Sequence, residues 1–192
     1  METFLTRETL FLSGALLLLV LLAIRLYNGL VQARARALEG WAGIDVQLKR
    51  RADLVPHLVA AVKGYAAQER RVLGEVAQTR AELAAAQGPA AAGRADQALT
   101  AALERLLAIG ENYPNLKASD NFLELQRELA DVEEKIAFAR RFYNRNAQAY
   151  NIRILSIPAL LVARLCRFGP VEYFQAESTD REAGRVSTGI LS

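Results

Sequence analysis

The chain has 192 residues, with 24 basic and 21 acidic side chains and a formal charge of +3. That balance leaves neither a nucleic-acid footprint nor an acidic tail as a dominant feature. One His and one Cys exclude a two-histidine metal site and an intrachain disulfide.

The first element is an uncharged apolar run over residues 10–24, in which Leu10, Leu16, Leu17, Leu18, Leu19, Val20, Leu21, Leu22 and Ile24 are candidate membrane-anchor residues. A spanning helix needs about 20 mostly apolar residues to cross ~30 Å of hydrocarbon. Phe4 and Leu5 before the run and Leu26 and Tyr27 after it supply the remainder, while Arg7 and Arg25 extend toward headgroups. Ile24-Arg25-Leu26-Tyr27 offers no small-residue cleavage site, and no Cys follows for lipidation, so an anchor is expected rather than a removed leader. Arg25, Arg34 and Arg36 follow the run, against Arg7 beside Glu2 and Glu8 before it. This bias predicts a single-pass protein of the cell membrane with its N-terminus outside and its helical domain cytoplasmic. The lone Cys166 fits a reducing compartment.

Ala37, Trp41, Ile44, Leu48, Ala52, Val55, Val59, Val62 and Ala66 then recur in threes and fours, and the pattern runs on through Leu73, Val76 and Leu83. This is one face of a long α-helix. Pro56 inside it predicts a kink near residues 52–56, not an end. Gly64 and Gly74 lower helix propensity by about 1 kcal/mol each and suggest close approach of a neighbouring helix. Gln87-Gly88-Pro89, an alanine run and Gly93 read as a linker. A second helix is expected over 94–112, ended by Tyr113-Pro114-Asn115, with Leu99, Leu103, Leu106 and Ile109 inward.

Ser119 or Asp120 caps a third helix. Its stripe of Phe122, Leu125, Leu129, Val132, Ile136, Ala139, Tyr143, Asn146 and Tyr150 has the spacing of a coiled-coil seam. Residues 152–168 are apolar with a few arginines, Pro158 opening a short helix and Gly169-Pro170 stopping it. Such a segment can lie in a membrane interface, dock on a partner subunit or complete its own bundle. Ile154, Leu155, Ile157, Leu160, Leu161, Leu165 and Phe168 are its candidate oligomer or membrane-interface residues.

These elements predict an all-α fold in which an N-terminal transmembrane helix continues into a long antiparallel helical hairpin or a four-helix bundle. Residues 1–26 are the N-terminal segment and anchor, 27–176 the helical domain and 177–192 a polar tail. At about 1.5 Å per residue, residues 27–87 as one helix would reach roughly 90 Å.

No catalytic, cofactor or metal site emerges. His57 stands one turn after Asp53 as a structural or solvated pair, and Cys166 has no local His or Cys partner. Lys49-Arg50-Arg51 points three ways on a helix and reads as solvated surface. The carboxylates Glu124, Glu128, Asp131, Glu133 and Glu134 alternate with Arg127, Lys135 and Arg140 as ordinary helix-surface pairs. Gly88-Pro89 lacks the Lys and Ser/Thr of a phosphate loop. Three Tyr-Asn doublets stand apart: Tyr27-Asn28, Tyr143-Asn144 and Tyr150-Asn151. Buried hydroxyls and amides need partners, so these six form a candidate polar register network, with the first doublet approaching the third in a hairpin.

Tyr27-Asn28 with Leu30, Trp41 with Ile44-Asp45-Val46-Gln47-Leu48-Lys49-Arg50-Arg51, and Asp53-Leu54-Val55-Pro56 closely resemble the bacterial LemA family. Val62-Lys63-Gly64-Tyr65, Tyr113-Pro114, Leu116-Lys117-Ala118, Asn121-Phe122, Leu125-Gln126, Ala139-Arg140, Tyr143-Asn144 and Tyr150-Asn151 continue the likeness, which reaches Phe174. The resemblance implies a membrane helix followed by an all-helical domain, with a small external N-terminus, a cytoplasmic bulk and no known catalytic residue. Some members carry a lipobox cysteine after the apolar run, where this chain has Arg25-Leu26.

The function expected is therefore a non-enzymatic membrane-anchored scaffold that self-associates at the membrane surface, without cofactors. The alternative is an adaptor or sensor presenting a helical docking surface to another membrane protein, such as a protease or signalling partner. The partners expected are the lipid bilayer, further copies of the chain and a membrane protein, with no nucleic acid.

Overall fold

A computed structural model describes residues 2–174, with side chains from residue 11 onward. The Leu10 side chain and the expected tail at 177–192 lie outside the described residues. Six helices account for the fold, with no strand among the described residues: α1 (Glu2–Tyr65), α2 (Arg70–Ala85), α3 (Pro89–Glu111), α4 (Pro114–Lys117), α5 (Asp120–Leu155) and α6 (Ala159–Leu165). The long apolar N-terminal helix is the one expected; its most apolar part has a mean hydropathy of 2.0 and is almost unburied, long and apolar enough to cross a membrane.

Three boundaries differ from the sequence reading. Helix α1 continues through Pro56 but ends at Tyr65, and a turn over 66–69 separates it from α2. The single helix expected over 27–87 is therefore two. Gly64 weakens the helix just before the break, yet no proline or capping side chain marks the turn, and Glu69 makes no side-chain cap bond. Ala66 closes it instead, fully buried at the corner, with its N–H donating to Val62 O at 2.8 Å.

Helix α3 begins at Pro89, so the alanine run and Gly93 are helical and not linker. Pro suits a first helical position and alanine is the strongest helix former; Gly88, with φ of 79°, makes the turn. Helix α6 stops before Gly169-Pro170. The Phe168 N–H donates to Ala163 O at 2.9 Å and the Arg167 N–H to Arg164 O at 3.3 Å, a Schellman closure in which Arg167 takes the left-handed position with φ of 55°. An arginine there is an unusual stop signal, and the Gly-Pro pair two residues on masked it.

The chain divides into two compact units. The first comprises Met1–Leu38 and Arg145–Val171. Its core is Leu30, Tyr150, Ile154, Ala159 and Ala163, with Leu26, Ala33, Val162, Phe168 and Val171 packed around it. Small Ala159 and Ala163, one turn apart, let α6 lie close to its neighbours. The segment 152–168 thus completes a core within its own unit.

The second unit comprises Glu39–Asn144 and Glu172–Ser192. Ile44, Val55, Leu58 and Val62 of α1, Val76 and Leu83 of α2, Leu99, Leu103 and Leu106 of α3, and Phe122, Val132 and Ile136 of α5 are buried in it. Each such side chain removed from water contributes about 1.5–3 kcal/mol. Along α5 the expected seam is present from Phe122 through Ile136, while Asn146 yields its buried place to Ala147.

Candidate functional site

In the first unit, Leu16, Leu17, Leu18, Leu19, Val20, Leu21, Leu22 and Ile24 are between 45% and 69% exposed, on a helix long and apolar enough to cross a membrane. The end of α5, the turn after it and α6 show a second apolar surface. Leu155, Ile157, Leu161 and Leu165 are between 69% and 84% exposed, whereas Ile154 is 5% exposed in the core. Ile154 is therefore corrected from interface residue to core residue, since α5 turns it inward beside Tyr150. Leu160 is half-buried, and Phe168 packs edge-on against Tyr27 at 5.8 Å between ring centroids.

The Tyr-Asn doublets do not form the network expected of them. The second and third each hold backbone that follows α6. In the first unit, Tyr150 Oη donates to Gly169 O at 2.8 Å, Asn151 Nδ2 donates to Val171 O at 2.9 Å, and the Val171 N–H donates to Asn151 Oδ1 at 2.9 Å. In the second unit, Tyr143 Oη donates to Glu172 O, while Asn144 exchanges two 3.0 Å hydrogen bonds with the Phe174 backbone. A side-chain amide has one donor and one acceptor side, so it satisfies the N–H and the C=O of one backbone residue at once. Asn28 is exposed, and Tyr27 contributes a ring contact. Trp41 joins the second clip, its ring 6.1 Å from Tyr143 and 6.4 Å from Phe174. Burial pushes the Tyr143 hydroxyl up to about 12, with Glu172 and Tyr173 adding to the effect.

Arg51 overturns the reading of Lys49-Arg50-Arg51 as solvated surface. It is 4% exposed, with Nη1 at 2.6 Å from Asp96 Oδ1 and Nη2 at 2.9 Å from Glu133 Oε2. The fork of a guanidinium can serve two carboxylates at once. Burial raises the Asp96 carboxyl above its ordinary range, against the lowering influence of Arg51. Lys49 and Arg50 are exposed, pairing with Asp45 and Asp131. Periodicity gave no sign of this, because an inward arginine looks like any other until Asp96 is placed opposite it.

Beside this core lies a groove of about 670 Å³ lined by Gly40, Gly43, Phe138, Ala139 and Phe142, rimmed by Glu39, Gln47, Asp131, Glu134 and Lys135. Two glycines set its floor. A Cβ on Gly40 would stand 3.1 Å from Tyr143 Cα, so α1 and α5 approach closely there, whereas one on Gly43 meets nothing within 4 Å. Close approach was expected at Gly64 and Gly74, which both face open space. Phe138 is 67% exposed at the groove's edge. Asp53 and His57 are exposed, and no group of three or more His, Cys, Asp or Glu side chains able to hold a metal occurs among the described residues.

A match to the LemA family spans residues 40–187. The chain belongs to the LemA family. Magnetosome protein MamQ of Magnetospirillum gryphiswaldense is 28% identical over 174 residues, covering 77% of this chain and 64% of that protein. Magnetosome protein MamQ 2 of Paramagnetospirillum magneticum is 27% identical over 157 residues, covering 68% of this chain and 58% of its own length. The LemA match takes in the Arg51 cluster, the glycine-floored groove and the clips at Asn144 and Asn151.

Proposed function

We propose that this LemA-family chain is a non-enzymatic, single-pass membrane scaffold whose copies associate through the groove of the second unit. Its N-terminus lies outside and its helical domain in the cytoplasm, as the arginines after the span favour. Arg51 ties α1 to Asp96 of α3 and Glu133 of α5, and holds α1 and α5 in the register that the groove needs. The observation carrying this reading is Phe138, a large ring left 67% exposed beside a groove floored by Gly40 and Gly43. Burying such a ring contributes about 1.5–3 kcal/mol, and glycine floors admit a helix backbone closely. The rim carries Glu39, Asp131 and Glu134 with Lys135, which pairs with Asp131 at 2.8 Å and leaves the apolar floor and Phe138 to make the contact. The magnetosome assignment belongs to the relatives named; the scaffold reading rests on this chain's own surfaces.

Photocrosslinking tests it. With benzoylphenylalanine at position 138 of the full chain in cells, crosslinks between copies are expected, and Gly43→Leu should abolish them. A Cβ at position 43 meets nothing within 4 Å and position 43 lines the groove, so a leucine there has open groove space to enter. Crosslinks only to another membrane protein would replace the scaffold with an adaptor.

A further inference from the structure

We infer that the first unit carries a second lipid contact, in which α6 lies in the headgroup layer of an anionic membrane beside the transmembrane helix. The surface is distinct from the groove of the second unit and does not depend on it.

Position supplies the first argument. Leu30 follows Ile24, the last residue of the apolar run, by six positions, or about 9 Å of helix. The same Leu30 shares a core with Ala159 and Ala163 of α6. The buried face of α6 is therefore held within two turns of the end of the span, at the depth where headgroups lie. Tyr27, 43% exposed and set against Phe168, occupies the level at which amphipathic aromatic rings anchor in a bilayer.

The outward face of α6 supplies the second. Leu161 and Leu165, one turn apart on α6, are 69% and 84% exposed, and Ile157 just before the helix is 82% exposed. An apolar ridge of this size facing water is costly, and one facing acyl chains is not.

Charge supplies the third. Within residues 11–38 and 145–171 there are seven arginines and neither a lysine nor a single carboxylate. The chain's near-neutral balance hides this, because the acidic residues among those described from 11 onward fall in the second unit. Arg153 lies against α1 at Gly29, where a Cβ would stand 2.5 Å from its Nη2, and Arg164 and Arg167 are exposed on and just after α6. Basic groups at a membrane surface are drawn toward anionic lipid. Seven arginines without a counter-charge fit a layer of lipid phosphates better than a second copy of the same surface, which would repel.

Cys166 is the chain's one cysteine and is exposed next to Leu165, so it reports on this face directly. The full chain labelled there with a polarity-sensitive fluorophore is placed in nanodiscs of phosphatidylcholine, with and without phosphatidylglycerol. Blue-shifted emission and loss of quenching by an aqueous quencher are expected in the anionic discs. Arg164→Gln with Arg167→Gln, and separately Leu161→Ser with Leu165→Ser, should reverse both changes, while Gly43→Leu should alter neither. A label equally water-exposed in both lipids overturns the inference. So does shielding that ignores lipid charge, or shielding that disappears when each disc holds one chain. The contrast between lipids is read on the unmutated protein, so it stands even if a variant misfolds.

Discussion

Asn144 grips Phe174 with both ends of its side-chain amide, Nδ2 donating to the Phe174 carbonyl and Oδ1 accepting from its N–H, each at 3.0 Å. Asn151 makes the same pair of bonds to Val171 at 2.9 Å. Seven residues separate the two asparagines, and three separate the backbone positions they hold. Each clip is complete within its own unit, one amide satisfying both backbone groups of one residue.

Asn144→Ala should remove both bonds and leave Phe174 backbone groups unpaired around a 1% exposed side chain. A loss of about 1–3 kcal/mol is expected. Urea unfolding gives the magnitude, and faster hydrogen exchange at the Phe174 amide shows that the clip itself has opened.

Arg51→Ala should cost about 3–5 kcal/mol at neutral pH, since it strands the buried Asp96 carboxylate. Burial already raises Asp96, and without Arg51 its folded pKa rises further above the unfolded value. A carboxyl shifted upward contributes stability below its unfolded pKa and loses it as pH rises through the folded pKa. The deficit of Arg51→Ala should therefore shrink between pH 7 and about pH 4. Arg51→Met with Asp96→Leu should lie well above the single variant in stability, because the one carboxylate left without Arg51 is Glu133, whose side chain is 49% exposed to water.

Tyr143 should produce an alkaline loss of stability. Its folded value of about 12 exceeds the ordinary 10.0, so its contribution is intact below pH 10.0 and falls as pH rises toward 12. Tyr143→Phe keeps the ring beside Trp41 and removes the hydroxyl. Unfolding of the variant should be flatter across that window than unfolding of the parent.

Two glycines should respond oppositely to alanine. At Gly110 a Cβ would stand 2.7 Å from Phe122 Cζ, and Phe122 is 1% exposed with little room to shift. Gly110→Ala should lose about 1–3 kcal/mol through overpacking, despite better helix propensity. Gly64 faces open space, so Gly64→Ala should gain about 0.5–1 kcal/mol. Thermal unfolding of both variants checks the pair.

Helices were legible wherever one face was continuously apolar. Phe122, Leu129, Val132 and Ile136 announce α5, and the run around Leu16 to Ile24 announces the anchor. The break at 66–69 was illegible because Val62, Ala66, Leu73 and Val76 keep phase across it. The Arg51 cluster was illegible for a different reason: its carboxylates lie on other helices, and only packing brings them together. The doublets drew notice as buried polar groups in search of partners, and Tyr143, Asn144, Tyr150 and Asn151 have them. Those partners are backbone atoms, which carry no residue signature.

The most direct measure of the central claim is particle mass in native lipid, by mass photometry of the chain extracted without detergent. The account predicts multiples of the single-chain mass that collapse to one chain with Gly43→Leu. A single-chain mass for the unmutated protein would contradict it.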